Sequence, residues 1–148
     1  MTQKQIYEIF KSFAKQHAMI NDCMIGSYFK IDTVQHREYP IMNVTPKPSN
    51  GVVQQEVRAY DILFADILDT SETNLQEIWS DQEQNAYDFL RFYSATYGDT
   101  YLDLYDLRLN DNYTITPIYH LLDNDVAGVL LSITFISPMN TSRCIIPQ

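Results

Sequence analysis

The sequence predicts an α+β domain in which two helices pack on a mostly antiparallel β-sheet. Three observations lead there. Apolar residues recur at helical spacing in two stretches, one at the N-terminus and one around residue 90. Six other runs are rich in β-branched and aromatic residues at strand length. Clusters of Pro, Gly, Asn and Asp separate most of these runs at hairpin-like intervals. The order is helix, three strands, helix, three strands, which places both helices on one face of the sheet. The 148 residues fit one domain, 1–148, with 137–148 as an extended C-terminal tail. A composition of 45% apolar and 20% charged residues excludes a disordered chain.

In the first helix, Thr2 is the cap and Ile6, Ile9, Phe10, Phe13, Ala14 and His17 form the apolar face. Lys4, Glu8, Lys11 and Lys15 take the opposite face. Residues 23–32 read as a strand, with Ile25, Phe29 and Ile31 on one side and Tyr28 and Lys30 on the other. A polar turn follows, then a strand over 39–45 in which Pro40 is tolerated at the start or on an edge. Residues 45–51 hold two prolines and Asn50-Gly51, the strongest breaker in the chain. They read as the tip of a long hairpin. The return strand, 52–67, begins polar (Gln54, Gln55, Glu56, Arg58) and ends apolar (Ile62, Leu63, Phe64, Ile67). Its polar end is expected to project beyond the core.

After a loop at 69–73, the Ser80/Glu83 capping-box spacing starts the regular second helix at Ser80, with Leu75, Ile78 and Trp79 in a preceding turn. Ala86, Phe89, Leu90, Tyr93 and Tyr97 make its stripe, and Gly98 is its stop. Strands are expected at 101–109, 113–122 and 126–136, joined by hairpin turns at Asn110-Asp111-Asn112 and Asp123-Asn124-Asp125. Pro138 and Pro147 leave the tail extended. Ile9, Phe13, Phe29, Phe89, Leu90 and Ile133 are the expected core.

The formal net charge of −9, with basic residues scattered singly, argues against wrapping by nucleic acid. Eleven tyrosines suit a half-buried sheet and protein interfaces. Cys23 and Cys144 have no zinc-like spacing and are expected as free thiols in a reducing cytoplasm. The N-terminus does not resemble a signal peptide, and no apolar run nears the roughly 20 residues of a membrane helix. His17 reads as a helix-terminal or core-edge residue; His36 and His120 fit no catalytic or metal pattern. Asp103 and Asp106, and likewise Asp61 and Asp66, are expected to point to opposite faces of their strands. Asp123 and Asp125 lack the Gly and distal Glu of a calcium loop. There is no Gly-rich phosphate loop and no nucleophile elbow. No catalytic residue, cofactor or metal is therefore assigned, and the chain reads as a protein-binding rather than a catalytic domain.

The order of these features carries a resemblance. A short amphipathic helix precedes strands bearing Glu38-Tyr39-Pro40 and the loop Thr45-Pro46-Lys47-Pro48. Thr73-Asn74-Leu75-Gln76-Glu77-Ile78 leads to Ser80-Asp81, the last hairpin holds Asp125-Val126-Ala127-Gly128, and the chain ends Arg143-Cys144-Ile145-Ile146-Pro147. Over nearly its whole length the chain resembles small virion proteins of tailed bacteriophages related to the crAss-like group, ring components of the neck and tail similar in fold to tail terminators. The resemblance implies a homo-oligomeric ring, six- or twelvefold, in the head–tail connector. Portal, neck or tail proteins would be its neighbours, and DNA would pass through the channel without specific binding. It implies localisation in the virion after assembly in the host bacterial cytoplasm, with no membrane partner.

Rings close through contacts between two different patches on each subunit. The expected interface residues are Pro46, Lys47, Pro48, Asn50, Gln54 and Glu56 on the hairpin and Arg143, Cys144, Ile145 and Ile146 in the tail. The competing readings are an acidic adaptor or inhibitor-type module for a basic protein, and an enzyme of unrecognised type.

Overall fold

The computed structural model describes residues 2–26, 38–69, 71–105, 108–119 and 126–138. Helix α1 spans Gln3–Gln16. The Thr2 hydroxyl accepts from the Gln5 N–H and the Gln5 side chain accepts from the Thr2 N–H, so the expected cap is a reciprocal one. Ile6, Ile9, Phe10, Phe13 and Ala14 are its buried face, as their spacing dictates.

Three strands follow: β1 (Asp22–Ile25), β2 (Ile41–Lys47) and β3 (Gln55–Ile67). The part of the first expected strand beyond Ile25 lies mostly outside the described residues, and Phe29 with it. β1 runs parallel to β2, so the sheet is mixed, while its other described pairings are antiparallel. β2 extends two residues further than expected, through Pro46. The Val44 carbonyl accepts from Gly26 N–H on the β1 side. Backbone groups alternate along a strand, so Pro46 points the same way, past the last residue of β1. Its missing N–H therefore costs the ladder no bond. β2 and β3 pair from Ile41↔Ala65 to Lys47↔Ala59, and β3 begins at Gln55, three residues later than expected, with 48–54 linking the strands. The polar start of β3, Gln55–Arg58, pairs with Pro138–Phe135 of β6 and does not project beyond the sheet.

Helix α2 is continuous from Leu75 to Tyr105. This corrects three expectations: Ser80 does not begin it, Gly98 does not end it, and residues 101–105 are not strand. Asp69 fixes the approach instead. Its carboxylate accepts from the Thr73 hydroxyl at 2.6 Å and from the Thr73 N–H at 2.9 Å. Those bonds hold the Asp69 carboxyl below its usual range. A lone glycine costs a helix only about 1 kcal/mol relative to Ala, and no proline follows Gly98 to enforce a stop.

The last three strands are β4 (Arg108–Leu109), β5 (Thr114–Ile118) and β6 (Val126–Pro138). β4 and β5 do not form a hairpin with each other. Both lie on the outer edge of β6, β4 opposite Phe135–Ile136 and β5 opposite Gly128–Ser132. The pairing of Leu109 with Phe135 and of Thr114 with Ser132 puts extra residues on the β4–β5 side. Asn110-Asp111-Asn112 is thus a bulge in one interrupted edge strand rather than a hairpin turn. Ser137 and Pro138, expected in the tail, are the end of β6, where Pro138 pairs with Gln55. The rest of the tail and Asp123-Asn124-Asp125 lie outside the described residues.

The sheet order is β1-β2-β3-β6-β4, with β5 also on β6. Both helices cover one face. There Phe10 stacks on Phe89 with ring centres 5.4 Å apart and meets Tyr60 edge-to-face at 5.3 Å. Ile9, Phe13, Phe89 and Ile133 are buried as expected, and Leu90 is partly buried against them. Each large side chain buried here contributes roughly 1.5–3 kcal/mol of transfer free energy. On the other face Ile41, Leu63, Ala65 and Val126 form a smaller cluster with Met24, Tyr39, Ile118 and Leu130. Gly128 is required between β3 and β6, since a Cβ there would lie 1.9 Å from the Phe64 carbonyl oxygen.

Candidate functional site

The turn between β2 and β3 is held by its own short-range bonds. Gln55 N–H donates to the Val52 carbonyl at 3.2 Å, and Ala59 N–H donates to the Ser49 hydroxyl at 3.3 Å. Gln54 takes a left-handed conformation, φ 78°. Gly51 lies so close to Val57 that a Cβ would be 2.6 Å from its Cγ2. The turn thereby presents Val52 and Val53 outward, 66% and 88% exposed. Pro46, Pro48, Asn50 and Gln54 are exposed with them.

Two of the expected interface residues are engaged within the chain. The Lys47 ammonium pairs with Asp61 at 3.3 Å, and Glu56 pairs with Arg58 at 3.3 Å. Asp61 is nearly buried on the face away from the helices and also accepts from the Ser132 hydroxyl at 2.7 Å. Lys47 is therefore a brace for the root of the turn as well as a surface charge. Arg143, Cys144, Ile145 and Ile146 lie outside the described residues. The sequence reading overlooked Val52 and Val53, though two adjacent valines directly after Asn50-Gly51 in a polar stretch could have marked them.

A second surface lies where α2 meets β5. Trp79 Nε1 donates to the Ile118 carbonyl at 3.0 Å, and the rings of Tyr87 and Tyr113 meet edge-to-face at 6.3 Å. The Tyr119 hydroxyl donates to Glu72. Tyr113 is 44% and Tyr119 46% exposed. The sequence does not mark this strip, because Tyr113 and Tyr119 read as members of a Tyr-rich sheet.

Among the described residues, His17, Asp88 and Cys23 make contacts within the fold. His17 caps the C-terminus of α1 and uses both ring nitrogens: Nδ1 accepts from Met19 N–H at 3.1 Å, so the ring proton lies on Nε2, 2.9 Å from Asp88. At Asp88 partial burial opposes ionisation, yet hydrogen bonds from His17, Gln84 and Arg91 outweigh it and hold the carboxyl below its usual range. Cys23 lines an open cleft of about 340 Å³ with Lys11, Lys15 and Asn21. Burial, reinforced by Asp22, pushes its thiol up to about 11, away from the nucleophilic thiolate. Asp61 and Asp66 fall on opposite faces of β3, as alternation predicts. Asp103 lies in α2, so its pairing with Asp106 on a strand does not arise. Among the described residues no three His, Cys, Asp or Glu side chains gather as a metal site, and no helix is long and apolar enough to cross a membrane.

No protein-family model matches the chain, and no curated protein matches it.

Proposed function

We propose that the chain is a structural subunit of a ring in the head–tail connector of a tailed bacteriophage. In this reading it joins portal or neck to tail, six or twelve copies surround the ejection channel, and the protein resides in the virion after assembly in the bacterial cytoplasm. The observation that carries the reading is the 48–54 turn, whose Val52 and Val53 are held out from the fold at 66% and 88% exposure. Adjacent exposed valines braced by local hydrogen bonds suit contact with another polypeptide. The sequence resemblance supplies the class of assembly, and the charge of −9 suits a channel past which phosphate slides without sticking.

The test is to replace Val52 and Val53 by Ser, which removes the apolar tip and keeps the length of the turn and its backbone hydrogen bonds. The variant is expected to fold with a melting temperature near that of the parent and to form no ring. Rings of normal size from the folded variant would overturn the role of the turn.

The acidic-adaptor reading draws on Glu77, Asp81 and Glu83, all exposed along α2. A monomer that binds one basic protein at one-to-one stoichiometry would favour it.

A further inference from the structure

We propose that neighbouring copies join head to tail, the 48–54 turn of one copy seating on the aromatic strip along the α2–β5 edge of the next. This rests on the ring reading and names the contact that would build it.

The strip is a continuous surface. Trp79, Glu83 and Tyr87 follow at four-residue spacing, so they share one side of α2. That side meets β5 through the Trp79–Ile118 hydrogen bond and the Tyr87–Tyr113 ring pair. Among the described residues β5 pairs with β6 alone, and its Thr116 and Pro117 are exposed, so it is an edge of the sheet. Rigid rings with polar tips are the side chains most often found at the centres of protein interfaces. Glu72 and Glu83 make the strip anionic.

The turn is its complement. From Tyr39 to Gln55 the chain carries no carboxylate, although it has 19 in all, and Lys47 stands at the base of the turn. Proline and valine side chains offer apolar surface that packs against aromatic rings. Each copy therefore bears an apolar, acid-free tip and an aromatic, acidic seat.

The two patches are also separate. The turn leads into the end of β3 that pairs with Pro138, whereas the strip flanks β6 around Gly128–Ser132. A tip that fits a seat elsewhere on an identical chain makes a heterologous contact, which repeats until rotation closes it into a ring.

The experiment mixes two blocked variants of the full chain. Val53→Asp blocks the tip, and Glu83→Lys with Tyr113→Ala blocks the seat; Glu83→Lys alone, at an exposed position, serves if the double variant melts early. Sedimentation velocity is run on the parent, on each variant, and on a one-to-one mixture. The parent is expected to assemble and each variant alone to be monomeric. The mixture is expected to give a species of two chains and nothing larger, because just one intact tip can meet one intact seat. Assembly of either variant alone, or a mixture that stays monomeric, overturns the pairing while a parent ring leaves the ring reading standing. A parent that is monomeric at every concentration overturns both.

Discussion

Gly128 is the residue on which the central ladder depends most sharply. It pairs with Ala65 of β3, and any β-carbon there would meet the Phe64 carbonyl. Gly128→Ala is expected to lower stability by about 1–3 kcal/mol in urea melts, since overpacking outweighs the usual gain from replacing a strand glycine. An unchanged midpoint would show that the two strands can separate there without penalty. At this scale apolar spacing was a good guide: Ile9, Phe13, Phe89 and Ile133 are buried where periodicity put them. Polar side chains were less legible. Nothing in the spacing of His17 and Asp88, or of Asp61 and Ser132, says that they touch, because each pair is brought together by the fold and not by local sequence.

At the scale of elements, the clearest lesson is α2. The Ser80/Glu83 spacing and Gly98 are both valid helix-end patterns, yet neither ends the helix. Capping patterns and single glycines contribute about 1 kcal/mol each, too little by themselves to start or stop a helix. Gly98→Ala is therefore expected to raise stability by about 0.5–1 kcal/mol, measured by thermal unfolding followed by circular dichroism. A loss would indicate that the chain needs glycine's freedom there and that the helix breaks at that point. The interrupted β4–β5 edge shows the converse limit. Asn110-Asp111-Asn112 has hairpin chemistry, but whether such a cluster reverses the chain or bulges it depends on which edge of β6 is open, which is a property of the whole sheet. The β2–β3 hairpin was legible because two prolines and Asn-Gly leave few alternatives, whereas the parallel pairing of β1 with β2 has no local signature.

At the scale of the whole molecule, the described residues form two helices on one face of a six-stranded mixed sheet. The fold carries two outward-facing features that its own core does not require: the valine-tipped turn and the tyrosine strip. The turn was half legible: a link between two strands was expected, but at 45–51 where the structure has 48–54, and its apolar tip was missed; the strip was not legible, since it exists only once α2 lies beside β5. Among the described residues His17, Asp88 and Cys23 are engaged in hydrogen bonds or burial, and the proposed role is one of assembly. Electron microscopy of the purified chain over a concentration series tests that role most directly. The account predicts closed rings of one fixed copy number, six or twelve, appearing as concentration rises. Particles that remain single, structureless monomers across the whole series would contradict it.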